Sequence, residues 1–131
     1  LDTQNFPFSY WVNQEIEKIR NQENTPIDFF PDFLHRGFYY EQLERYYQFF
    51  PVENILVIEH RELKNNRIST LRKIEQFLNI SYVDWNTINL DDKFVSQYNV
   101  KLPSDIRNKL KAFFKPYNEK FYKLIKRNFD W

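Results

Sequence analysis

"HRGFYYEQLERYYQFFPVENILVIEHREL" occupies residues 35–63. Its first half loads aromatic rings onto a helical pattern, a proline follows, and one short aliphatic run comes next. Tyr39, Leu43, Tyr46, Tyr47 and Phe50 form the wider apolar set and are expected to be the buried stripe. Phe38, Gln42, Arg45 and Phe49 occupy the other set, and Pro51 is expected to close the helix. Residues 55–58 are four consecutive aliphatics between breakers, which predicts a buried strand over about 54–59 of the kind found in parallel sheets. The rest of the chain reads as helix and loop, and one strand cannot make a sheet. Buried backbone N–H and C=O groups must be paired. The partner strands are therefore expected from another chain or from a part of this protein outside these residues.

Working outward, Trp11, Val12, Ile16 and Ile19 predict a helix over about 10–22, with Ser9 as its N-cap. Pro26 and Pro31 mark residues 24–33 as an aromatic loop. Downstream, Ile68, Leu71, Ile74, Phe77 and Leu78 predict an amphipathic helix that stops at Asn79. Residues 81–100 are polar and show no period, as functional loops often do. Ser104 is a candidate N-cap for a helix whose inner face holds Ile106, Leu110, Phe113 and Phe114. Pro116 is expected to stop or kink that helix. A last short helix then carries Tyr117, Phe121, Leu124 and Ile125, with Phe129 and Trp131 turned back onto the core. The expected core joins Tyr39, Leu43, Tyr46, Ile55, Val57, Leu71, Ile74, Phe77, Leu78, Leu110, Phe113 and Phe121.

Composition narrows the chemistry. A chain of 131 residues is one domain's worth and can bury a core. It is rich in rings, with 14 Phe, 9 Tyr and 3 Trp, and these supply the burial. A single glycine leaves no glycine-rich phosphate loop. The formal charge of +1 gives no case for non-specific nucleic-acid binding. Without cysteine there is no disulfide or thiolate metal site, and the two histidines have no nearby ligand cluster. No apolar run is long enough to span a bilayer, and the first residues lack a signal-peptide pattern. A cytoplasmic location is the expectation.

The ordered combination of Gly37-x-Tyr39-x-x-Gln42-Leu43-x-x-Tyr46, "FPVENILVIEHREL" and "STLRKIEQFLNI" resembles the sulfotransferase family, whose donor is 3′-phosphoadenosine 5′-phosphosulfate (PAPS). The tail "LKAFFKPYNEKFYKLIKRNFDW" is similar to the end of heparan-sulfate-type and related bacterial members. The resemblance runs from about Phe8 to Trp131. It implies an α/β, P-loop-type fold, of which this chain would be the mostly helical C-terminal portion with one central strand. It implies sulfuryl transfer from PAPS to a hydroxyl or amine, with no metal. The family's phosphate loop, its Arg/Ser pair for the 3′-phosphate and its catalytic base find no match here, so no catalytic residue is assigned. The whole of residues 1–131 is then the C-terminal part of one sulfotransferase domain. Its partners would be the N-terminal half of that domain and an acceptor, with carbohydrate a candidate.

The family's Lys-Gly-Arg loop falls at Val95, Ser96 and Gln97, where the basic residues are missing. The cofactor candidates implied around that loop are Lys93, Ser96, Tyr98 and Lys101. Arg36 and Tyr39, at the Gly-x-Tyr turn, are the candidates for the acceptor side. His35 and His60 are weaker candidates for proton transfer, and Glu15, Glu17 and Glu23 read as surface acids. The basic pattern at the end of the chain reads as a solvated face. The isolated chain is expected to bind PAPS weakly and transfer no sulfate. The alternative is a non-catalytic helical binding module or a decayed sulfotransferase fragment.

Overall fold

The computed structural model describes residues 7–21, 33–91 and 101–131. The described chain is mostly helical: α1 (Phe8–Asn21), α2 (Tyr39–Tyr47), α3 (His60–Asn65), α4 (Arg67–Leu78) and α5 (Ser104–Ile125), with short 3-10 turns at His35–Gly37, Val52–Asn54 and Trp85–Thr87. The chain divides into two compact units. One combines Leu1–Tyr46 with Lys101–Trp131, and the other is Tyr47–Val100.

In the first unit, α1 packs against α5. The α1 stripe predicted from spacing is real: Val12 and Ile16 are fully buried and join Leu34 and Ile106 in one cluster. Ile19, Leu110, Phe113 and Phe114 pack around it. Ser9 lies inside α1 rather than capping it. Glu15 corrects the reading of a surface acid. It is buried, and its carboxylate accepts the Leu34 N–H at 2.7 Å, which satisfies a backbone donor inside the core.

The α2 stripe is also corrected. Leu43 and Phe121 are buried as expected, but Tyr39 and Tyr46 are exposed and Phe38 is buried in their place. Phe38 stands before the first turn of α2, so helical spacing does not govern it. Its ring stacks on Tyr117 at 4.1 Å and lies 6.1 Å from Phe113.

Pro116 neither ends nor breaks α5, which runs through it for 22 residues. Proline removes one helical hydrogen bond. Phe113 and Tyr117 flank it, and both pack on Phe38, so tertiary contacts hold the helix across the gap. Ser104 is the first helical residue, after Pro103, and makes no side-chain cap. The helix ends at Lys126 in the left-handed region (φ 52°), where the Arg127 N–H bonds to the Tyr122 carbonyl. The chain then folds back, as predicted. Phe129 is buried, and Trp131 stacks on Phe121 at 5.9 Å.

The second unit is built on α3 and α4, and the helix expected from Ile68 to Leu78 is α4. The two helices break at Asn66 (φ −129°, ψ 49°). Thr70, fully buried, spans the break: its hydroxyl donates to the carbonyls of Glu62 (3.1 Å) and Asn66 (2.9 Å). Asn79 stops α4 in the left-handed conformation, as read from the sequence. The apolar face of α4 is open. Ile68, Phe77 and Leu78 are exposed, and Leu71 and Ile74 are half-buried, so the single connected core predicted from spacing does not form.

A polar centre holds this unit instead. The buried Glu75 carboxylate accepts from the Arg72 guanidinium (2.7 Å), the Val83 N–H (2.9 Å) and the Trp85 indole N–H (2.9 Å). Arg72 also donates to the Val83 carbonyl at 2.7 Å and lies over the Tyr82 ring. The Arg72 hydrogen bond holds the Glu75 carboxyl below its ordinary pKa, against desolvation, with Val83 and Trp85 assisting. Residues 80–85 are thereby tied to α4.

The predicted strand needs correction. Backbone angles are extended at Ile55 (φ −125°, ψ 114°) and at Glu59 (φ −75°, ψ 131°). Yet the described residues contain no strand. Leu56 is 38% exposed, and Ile55, Val57 and Ile58 are half-buried. A strand exists through its ladder, and no described segment offers one. Among the described residues the aliphatic run forms no strand ladder, and the Ile55 N–H bonds to the Val52 carbonyl.

Candidate functional site

Gly37 sets the geometry of the first unit's surface. A Cβ built on it would lie 2.6 Å from Phe114 Cε1 and 2.9 Å from Cζ. The lone glycine therefore lets the 3-10 turn close onto α5, and it carries Tyr39 to the same place. Beside this contact lies a groove of about 720 Å³. Gly37 and Tyr39 line one part, and Trp131 of the returned tail lines another. The Tyr39 ring meets Trp131 edge-on at 5.6 Å and tilts against Phe121 at 5.7 Å, so packing fixes its position although it is exposed.

The third part is α5. Arg107, Lys111, Lys115 and Glu119 all line the groove and follow at four-residue intervals, which places them on one side of the helix. The amide of Asn118 joins them, and Leu110 and Phe114 add apolar lining. Such a surface has the groups to bind a ligand. Its cations attract anions, its carboxylate and amide accept from hydroxyls, and its rings take apolar faces.

Of the residues singled out from the sequence, Tyr39 lines the groove. Arg36 is exposed on the 3-10 turn and is not part of the lining, and its carbonyl accepts from Gln42. Lys101 is exposed just before α5. Lys93, Ser96 and Tyr98 lie outside the described residues. His35 is exposed with its ring edge-on to Phe38 at 5.1 Å, and His60 is the exposed first residue of α3. Among the described residues no group of three metal-ligating side chains forms. No described helix is long and apolar enough to cross a membrane.

The reading of the terminal basic residues as solvent-facing missed that three of them share one wall of a groove. The i, i+4 spacing of Arg107, Lys111 and Lys115 was the available signal. On the other wall Tyr39 was marked by the Gly-x-Tyr turn, while its pairing with Trp131 has no local sequence signature.

Comparison with known proteins adds four findings. A model of the sulfotransferase domain matches residues 2–92. The chain is 33% identical over 98 residues to the membrane-associated sulfotransferase kil1 of Dictyostelium discoideum, covering 75% of this chain and 20% of that protein. It is 25% identical over 112 residues to human heparan sulfate glucosamine 3-O-sulfotransferase 5, covering 71% of this chain and 32% of that one. A crystal structure of a sulfotransferase from Alicyclobacillus acidocaldarius superposes with a TM-score of 0.63 at 26% identity, over 95% of this chain and 45% of that chain. This chain thus spans less than half the length of each of these relatives.

Proposed function

We propose that this chain, which belongs to the sulfotransferase domain family, is the C-terminal portion of one sulfotransferase domain, and that the complete protein moves a sulfuryl group from PAPS to a carbohydrate hydroxyl or amine. The observation that carries the first part is the extended run at 55–59. Its aliphatic residues, 55–58, are half-buried or exposed and form no strand ladder among the described residues, and the same unit has an open apolar face on α4. Surfaces of that kind mark a missing partner, and a parallel sheet from the rest of the domain would supply both ladder and cover. The second part draws on the family and on the heparan sulfate relative, whose acceptor is a carbohydrate by its name. A helical binding module outside the enzyme family is not favoured by these matches.

The donor's phosphate groups call for backbone N–H groups at a glycine-rich helix start. The one glycine is filled by Phe114, and α5 begins after Pro103. The described residues therefore do not fit the 5′ end, which falls to the remainder of the domain. Lys93, Ser96, Tyr98 and Lys101 are the proposed contacts of this chain to the donor, and Arg36 and Tyr39 those to the acceptor. Their work is orientation and charge neutralisation, the main contributions in this kind of group transfer.

Calorimetric titration with 3′-phosphoadenosine 5′-phosphate tests the assignment. The chain alone is expected to bind more weakly than micromolar, and the complete protein to bind tightly. Lys93→Ala and Ser96→Ala should weaken binding by the complete protein. Micromolar binding by the chain alone would place the donor site within these residues and overturn the division of labour.

A further inference from the structure

Helix α4 carries two of its charges at the ends where they stabilise it least. Arg67 is its first residue, and Glu75 lies in its last turn. A cation at a helix N-terminus and an anion near the C-terminus both oppose the helix dipole. Glu75 is also buried, which costs it solvation. Helix stability alone would reverse this order. Both side chains instead reach off the helix to one and the same segment, residues 80–91.

That segment has little else to hold it. Beyond the 3-10 turn at Trp85–Thr87 it forms no helix or strand. Val83, Trp85 and Leu90 are half-buried, and its other residues are exposed. α4 fastens it at each of those three residues. Arg72 and Glu75 grip both backbone groups of Val83, Glu75 also takes the Trp85 indole N–H, and Arg67 donates to the Leu90 carbonyl. The bonds at Val83 and Leu90 end on main-chain atoms, so they fix the path of the backbone rather than select a side chain. Between them the Thr87 hydroxyl and N–H both bond to the Asp84 carbonyl, at 2.7 and 3.1 Å, and close the turn. Such bonds are strongly directional and modest in net stabilisation, which suits them to setting a position.

We infer that Arg67 and Glu75 are positioning residues for the sulfuryl donor: from α4 they fix the path of residues 80–90, which leads directly into the stretch that carries Lys93 and Ser96. The inference rests on the donor contacts proposed above and adds which side chains set their approach. Neither Arg67 nor Glu75 has to touch the donor. A contact loses affinity when its backbone must be ordered on binding. Fastening the preceding segment in advance lowers that cost, and this offsets the unfavourable placement of two charges on α4.

The test is calorimetric titration of the complete protein with 3′-phosphoadenosine 5′-phosphate, beside thermal melting of each variant. Arg67→Met keeps an aliphatic stem and removes the bond to Leu90. It should weaken binding by about tenfold, the worth of one charge-assisted contact. Arg67→Lys retains a donor and should recover most of that loss. Glu75→Gln removes the charge that holds Arg72 and should weaken binding in the same direction. Thr70→Val is the stability control. It deletes the hydroxyl bonds across the α3–α4 break, and should lower the melting temperature while keeping the affinity. Arg67→Met combined with Lys93→Ala should lose less than the sum of the two single losses, because the arginine acts through the segment that bears the lysine. Three results would each overturn the proposal: unchanged affinity in Arg67→Met and Glu75→Gln, an equal loss in Thr70→Val, or additive losses in the double variant. A parent protein that binds no 3′-phosphoadenosine 5′-phosphate would sink the donor reading itself, so the two failures are told apart.

Discussion

The two units solve the same problem in opposite ways. The first, with α5 at its centre, closes on aromatic rings: Phe121 is buried among Tyr39, Tyr122, Phe129 and Trp131. The second leaves its aliphatic side chains open and places a carboxylate at its centre, with Glu75 gathering Arg72, Val83 and Trp85. Ring burial is non-directional and needs only neighbours from the same unit. An open apolar face with a pinned polar back is the form of an element waiting for a cover. The difference teaches that one unit is finished by its own residues and the other by something else.

The largest expected effect tests the closed unit. Phe121→Ala removes a buried ring that four others touch, and should lower stability by about 3–5 kcal/mol, read as a fall in the denaturation midpoint. An unchanged midpoint would mean that the ring cluster does not carry this unit. Gly37→Ala comes next. The added methyl forces the Phe114 ring out of its place beside Phe38 and Phe113, an overpacking expected to cost about 1–3 kcal/mol. If the alanine variant melts like the parent, the close approach of turn and helix is not a requirement.

Glu75 tests how the open unit is held. Its folded pKa lies below the ordinary value of 4.5, so it binds protons less readily when folded than when unfolded. Its contribution is then fully present above 4.5 and is lost as pH falls through the lowered folded value. Glu75→Gln should flatten that acid limb and change Trp85 fluorescence, with little effect on the α1–α5 core. An acid limb of the same steepness in the variant would assign it to other carboxylates.

Legibility followed locality. The α1 stripe, the Asn79 stop and the return of Phe129 were readable because each depends on residues within a few turns. Phe38 and Pro116 were misread because distant partners decide them: Tyr117 takes the Phe38 ring, and the same stacking carries α5 across its proline. Glu15 lies three residues after Val12 and four before Ile19, on the buried stripe of α1, and charge alone made it look external. Of the candidate site, Tyr39 was singled out from the sequence, whereas its meeting with Trp131 depends on the folded-back tail and was not legible.

The smallest effect in the chain alone is the sharpest test of the comparison. Helical spacing makes Phe77 a core residue, yet it is 38% exposed on the open face of α4. Phe77→Ala in this chain should therefore change stability by about 0.5 kcal/mol or less, as substitutions at exposed positions do. In the complete protein the same substitution should cost about 3–5 kcal/mol, because a covering sheet would bury the ring fully. The two measurements must differ if the face is a docking surface for the rest of the domain. Equal and small losses would show that the α4 face stays in water throughout, and equal and large ones that it is already covered here. Either result would erase the contrast between a finished unit and one that awaits its partner.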